Sequence, residues 1–250
     1  MSLDRPIIKT PTAAAGEAKG LGWMATCALL YAISAMIAST VNLVTLALAA
    51  SGAGVGAILA AISLTALLGA VGWLMALPAL VTLAVGLYEL GRSGVDPPKE
   101  VRLRWLMLGA GIGLFVITVP LLVLATLSRT VNTTLELLQT AVGLASALVL
   151  LYVAALPALR RGPASWGAPA RLVLLLGLVA AVVEAVAAVA NRVSPGLPVL
   201  SNWPPVAWGF PASFIVLASA AALWWTYASL MKAAKTPAPG SGARGITGAP

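Results

Sequence analysis

The chain has 250 residues, 60% of them hydrophobic and 9% charged, with a formal net charge of +8 and no histidine. Soluble domains carry about 25% charged residues, so this composition excludes an ordinary soluble fold. The missing histidine removes Ser-His and Cys-His nucleophile–base pairs, His-ligated haem and the common catalytic zinc sites, and the single cysteine, Cys27, leaves no intrachain disulfide to form.

A helix needs about 20 predominantly apolar residues to cross the hydrocarbon core of a bilayer. Six stretches qualify, over about 22–50, 53–90, 105–128, 134–158, 172–192 and 207–231. They are continuous rather than alternating, which favours helices over strands, and helices satisfy their own backbone in lipid. Residues 1–21 read as a polar lead with Pro6 and Pro11, without the features of a cleavable signal peptide. Trp23 marks the membrane interface of the first helix, and Ser51-Gly52-Ala53-Gly54 the first turn.

The second stretch runs to Tyr88, Glu89 and Gly91, with Gly91 placed as the residue just past the helix end. A break at Gly69–Gly72 would make this stretch cross twice, giving a seventh helix. Asp96-Pro97-Pro98 interrupts the following loop, and Pro120 is placed as a kink in the third helix. Thr133 with Glu136 fits a capping box opening the fourth helix, which has Pro157 in its last turn. The fifth helix ends near Asn191-Arg192. A Pro/Trp-rich loop with Trp203 and Trp208 follows, and Trp224, Trp225 and Tyr227 close the sixth helix. Residues 232–250 read as a disordered tail. Val71–Leu80 also resembles Leu150–Leu159, each with Leu-Pro-Ala-Leu; this is either an internal repeat or a coincidence of an Ala/Leu-rich alphabet.

Charge sets an orientation. With the N-terminus in the cytoplasm, only Arg129 and Arg192 of the 15 Lys and Arg residues fall outside. The others gather at the inner helix ends: Arg5, Lys9 and Lys19; Arg92, Lys99, Arg102 and Arg104; Arg160, Arg161 and Arg171; Lys232, Lys235 and Arg244. This is the positive-inside distribution. The fold class is therefore all-α: a polytopic integral membrane protein with six transmembrane helices, N-in and C-in, in the cell membrane. The transmembrane domain spans 22–231. The basic residues are accounted for by orientation and by attraction to anionic headgroups, and no nucleic-acid partner is expected.

Three acids lie away from the inner segments that hold Asp4, Glu17, Asp96 and Glu100. Glu89 stands three residues before Arg92 and is read as its surface partner. Glu136 belongs to the capping box. Glu184 lies near the middle of the fifth helix, where an ionisable group is costly and points to function. Its face carries Gly177, Ala180, Ala181 and, two turns on, Asn191, against Val and Leu on the other side. Either it forms a proton- or cation-coupled site opening toward Asn191, or it is a neutral carboxylic acid clipped to another helix. A second polar run, Ser34, Ser39, Thr40, Asn42 and Thr45, is read as a helix contact, with Asn42 joining Glu184 and Asn191 as the candidate intramembrane polar site.

The first two stretches exceed a bilayer, at 29 and 38 residues, or roughly 43 and 57 Å. Either strong tilt absorbs the excess or the apolar hairpin tip packs on another subunit or copy. Gly52 and Gly56 form a small-xxx-small pair suited to that contact, and Trp203 and Trp208 are further interface candidates.

Ala28–Ser34, and the run from Gly86-Leu87-Tyr88 through Val95-Asp96-Pro97 to Leu108–Gly113, resemble an archaeal family of multi-spanning membrane proteins with no assigned activity. The resemblance covers the first half of the chain and implies a multi-pass fold without catalytic residues. The expected function is a non-catalytic, cofactor-free subunit or oligomer-forming component of a membrane assembly. Its partners would be the lipid bilayer and other membrane subunits or further copies of itself. The alternative is a small-solute or ion transporter working through Glu184.

Overall fold

The computed structural model describes residues 11–50, 55–127, 133–161, 169–193 and 205–235. They form six α-helices: α1 Pro11–Ala50, α2 Val55–Arg92, α3 Pro98–Leu127, α4 Thr133–Arg161, α5 Pro169–Val193 and α6 Pro205–Lys235. All six are long and apolar enough to cross a membrane, and no strand occurs among the described residues. The protein is an all-α, multi-pass membrane protein. α2 is one continuous helix, so a seventh span has no place here.

Several helices begin earlier than their apolar cores. α1 starts at Pro11, not near residue 22, because Ala13-Ala14-Ala15 and Ala18 are strong helix formers and proline suits the first turn. The expected polar lead is thus partly helix. Pro98, Pro169 and Pro205 open α3, α5 and α6 in the same way. α6 runs on through Lys235, past the expected boundary at 231.

The turn between α2 and α3 needs only residues 93–97. Its left-handed residue is Gly94, at φ 69°, and not Gly91, which remains helical. Ser93 closes the end of α2: its N–H donates to Glu89 O at 3.0 Å and its hydroxyl to Leu90 O at 2.7 Å. The capping-box side chains of Thr133 and Glu136 lie outside the described residues; α4 begins at Thr133.

The helices pack in chain order around a ring, and α6 closes it against α1. The α2–α3 seam is the thinnest of the described contacts between chain neighbours, and α4 and α6 touch lightly across the middle. α1 and α2 approach closely. A Cβ on Gly20 would stand 2.8 Å from Leu90 Cγ and 3.0 Å from its backbone nitrogen; one on Gly86 would stand 2.8 Å from Met24 Sδ. The core concentrates at the end of the bundle bearing the 93–97 turn, with Leu21, Met24, Leu90, Val153, Leu223 and Tyr227 all fully buried. Outward faces are apolar too, as lipid contact requires: Leu172, Leu175, Leu178, Val182, Val186 and Val189 form one exposed stripe along α5.

The Leu-Pro-Ala-Leu segments are not equivalent in the fold. Pro78 stands 14 residues before Arg92 and Pro157 four before Arg161, so they lie roughly 21 and 6 Å from the same end. This register gives the internal repeat no support.

Candidate functional site

Two polar constellations stand inside the ring. The first was not expected as a unit. At the end holding the 93–97 turn, three acids and three arginines from α1, the turn, α3 and α4 form a connected ion network. Arg161 Nε donates to Glu17 Oε1 at 2.9 Å, and Arg161 Nη2 donates to Asp96 Oδ2 at 3.1 Å. Arg104 Nη1 donates to the same Asp96 oxygen at 2.6 Å. Glu100 pairs with Arg160 and stands 3.7 Å from Arg104 Nη2.

Most of these side chains are withdrawn from solvent: Arg104 is 3% exposed, Glu17 6%, Asp96 7% and Arg161 11%. Burial alone would raise the Asp96 carboxyl, but hydrogen bonds and charge from Arg104 and Arg161 outweigh it and hold Asp96 below the usual carboxylate value. One step closer to the core, the fully buried Tyr227 of α6 donates its hydroxyl to Ala154 O of α4. Arg161 Nη1 likewise reaches Pro157 O at 3.3 Å.

Orientation alone therefore does not account for the basic residues: Arg104 and Arg161 cross-link the bundle. One part of this was readable. Asp96, Glu100 and Arg104 follow one another at i, i+4 and i+8, two acids and then a base, from the turn into the start of α3. Their partners Glu17 and Arg161 come from helices far apart in sequence, and no local pattern announces them. Glu89 also differs from expectation. It takes Lys19 of α1 at 2.7 Å, while Arg92 is exposed and makes no ion pair among the described residues. Both Gly20 and Gly86 draw α1 against α2, which brings Lys19 within reach.

The second constellation centres on Glu184. It is half-buried on the α5 face that also carries the buried Val173, Gly177 and Ala180. It stands within electrostatic reach of Tyr31 on α1, a helix separated from α5 by α6. Tyr31 lies 14 residues along α1 from Glu17, and Glu184 15 residues along α5 from Pro169, so both sit roughly 21–23 Å from the charged end. No hydrogen bond or ion pair clips Glu184 to a neighbouring helix among the described residues.

The α1 polar run is mostly turned onto its own backbone. The Ser39 hydroxyl donates to Ala35 O at 2.8 Å and the Thr40 hydroxyl to Met36 O at 2.9 Å, although Ser39 itself is buried. Ser34 does have a partner. The side chains of Asn42, Thr45 and Asn191 lie outside the described residues, as do Gly52 and Trp203 entirely and the side-chain surroundings of Gly56 and Trp208. No three metal-ligating side chains cluster among the described residues.

No family model, curated protein or solved structure matches this chain.

Proposed function

We propose that the protein is a non-catalytic component of a membrane assembly, built with both termini on the cytoplasmic side of the cell membrane. The length of the first hairpin carries this reading. α1 and α2 have 40 and 38 residues, roughly 60 and 57 Å, whereas the other four helices have 25 to 31. Both α1 and α2 are held at the charged end by Lys19–Glu89 and the Glu17–Arg161 pair. Their surplus length therefore extends beyond the other helices at the opposite end, where an apolar hairpin in water would need a partner. That partner is another membrane subunit or a second copy.

The test is the native mass of the mildly solubilised protein, with co-purifying chains identified. A stable complex well above 25.2 kDa supports the reading, and a clean monomer in lipid particles overturns it.

A second reading, a proton- or cation-coupled transporter of a small solute, is favoured by one observation: Glu184 lies half-buried on the packed face of α5 without an ion-pair partner among the described residues. Proton flux into vesicles loaded with a pH-sensitive dye tests it. Glu184→Gln should abolish flux while leaving the fold intact; unchanged flux removes Glu184 from that role.

A further inference from the structure

Charge at the 93–97 corner is divided between an inward and an outward set. Every described acid near it is taken: Asp96 and Glu100 face inward onto Arg104, Arg160 and Arg161, and Glu89 holds Lys19. Arg92 at the end of α2 and Lys99 and Arg102 in the first turns of α3 are left exposed, and none makes an ion pair among the described residues. Three cations thus share one corner whose acids are already neutralised.

The surface beside them is apolar and aromatic. On α2, Tyr88 lies one turn before Arg92 and is 53% exposed. On α3, Trp105 lies one turn after Arg102 and is 39% exposed. Gly91 faces Val101, with a Cβ there standing 3.0 Å from Val101 Cγ1, so this is where the two helices meet. At 3.6 residues per turn, Tyr88 and Arg92 on one helix and Arg102 and Trp105 on the other flank the outer side of that meeting line. Beyond it the α2–α3 seam is thin, and on α3 Gly109 has open space where a side chain would be.

We propose that this corner is a binding site for one anionic phospholipid. The headgroup phosphate lies among Arg92, Lys99 and Arg102, Tyr88 and Trp105 flank the glycerol region, and the acyl chains follow the α2–α3 seam. The chemistry matches: guanidinium and ammonium donors take phosphate oxygens, exposed Tyr and Trp sit at the headgroup level, and the seam supplies apolar wall. Phosphatidylcholine has the same phosphate but carries a compensating cation, which this corner repels. The site stands independently of either functional reading.

The test is native mass spectrometry of protein released from vesicles of equimolar phosphatidylglycerol and phosphatidylcholine. Wild type should retain phosphatidylglycerol preferentially, as a single tightly held molecule. Each cation removed should lower that preference about fivefold, so R92Q/K99Q/R102Q should lose it. These three side chains are exposed and outside the ion network, and an unchanged melting temperature would confirm an intact fold. The charge-matched K9Q/K235Q/R244Q variant should keep the preference. Equal loss in both triple variants would overturn the site in favour of diffuse attraction by net charge. Displacement of the lipid by millimolar inorganic phosphate, with phosphate retained in its place, would overturn a lipid as the occupant.

Discussion

At the charged end of the ring, Leu21, Met24, Leu90 and Leu223 close around Tyr227, and an ion network ties α1, α3, α4 and the 93–97 turn together above them. Toward the opposite end the buried side chains are small or hydroxylic: Ala35, Ser39, Thr118, Ala212 and Ser213. Ser39 and Thr118 donate to carbonyls of their own helices, Ala35 and Phe115. One half is cross-linked by ionic side chains from distant parts of the chain; in the other no ion pair occurs among the described residues, and the Ser146 hydroxyl of α4 donates to Gly111 O of α3 at 2.9 Å. Local stability should therefore fall along the membrane normal, and a region that must move or accept a partner is drawn from the less stable end.

The largest effect should come from Arg161. Arg161→Ala leaves Glu17 and Asp96 buried without the guanidinium that joined them, and removing one partner of a buried pair costs about 3–5 kcal/mol. Thermal unfolding in detergent should show a drop of that order. A change under about 1 kcal/mol would mean that water reaches the network and the contrast between the halves is weaker than the geometry implies.

Next is the α1–α2 approach. Gly20→Ala places a methyl group against Leu90, including its backbone nitrogen, which cannot swing aside. Overpacking of this kind costs about 1–3 kcal/mol. Gly109→Ala, which meets nothing within 4 Å, should be close to neutral in the same assay. The pair separates a glycine required for packing from one that is not.

Acid should act on the charged end first. Arg104 and Arg161 hold the folded-state value of Asp96 below its ordinary one, so Asp96 adds stability above the unfolded value, about 3.9, and that contribution is lost as pH falls further through the folded value. Melting temperature should drop below about pH 4, and Asp96→Asn should flatten that part of the profile while lowering stability at neutral pH. An unaltered acid limb in Asp96→Asn would assign the acid sensitivity to Glu17 or Glu100.

The same contrast explains what could be read before the fold was known. Six apolar runs separated by Gly, Pro and basic residues make a six-helix membrane protein legible, because each run must by itself satisfy the bilayer. Helix ends are less legible: α1 begins with Ala-rich, charged turns that a hydropathy reading passes over, and Gly94, not Gly91, adopts the left-handed turn. The ion network is the least legible. Glu17 and Arg161 are 144 residues apart and meet only because the ring brings the ends of α1 and α4 together. Glu184 was visible from its own helix, since a carboxyl on a Gly/Ala face stands out without any knowledge of its neighbours.

The smallest expected effect concerns that residue. Glu184→Gln keeps the shape of the side chain and removes only its capacity to ionise. A carboxyl clipped to another helix would lose a hydrogen bond worth about 1 kcal/mol or more, because the amide donates with a different geometry. An unpartnered group has no such bond to lose, and isosteric changes away from a network fall within about 0.5 kcal/mol. Unfolding of Glu184→Gln should therefore coincide with wild type, in contrast to Arg161→Ala at the other end of the bundle. A loss above about 1 kcal/mol would reveal a packing clip at mid-membrane, in addition to the Ser146–Gly111 bond between α4 and α3.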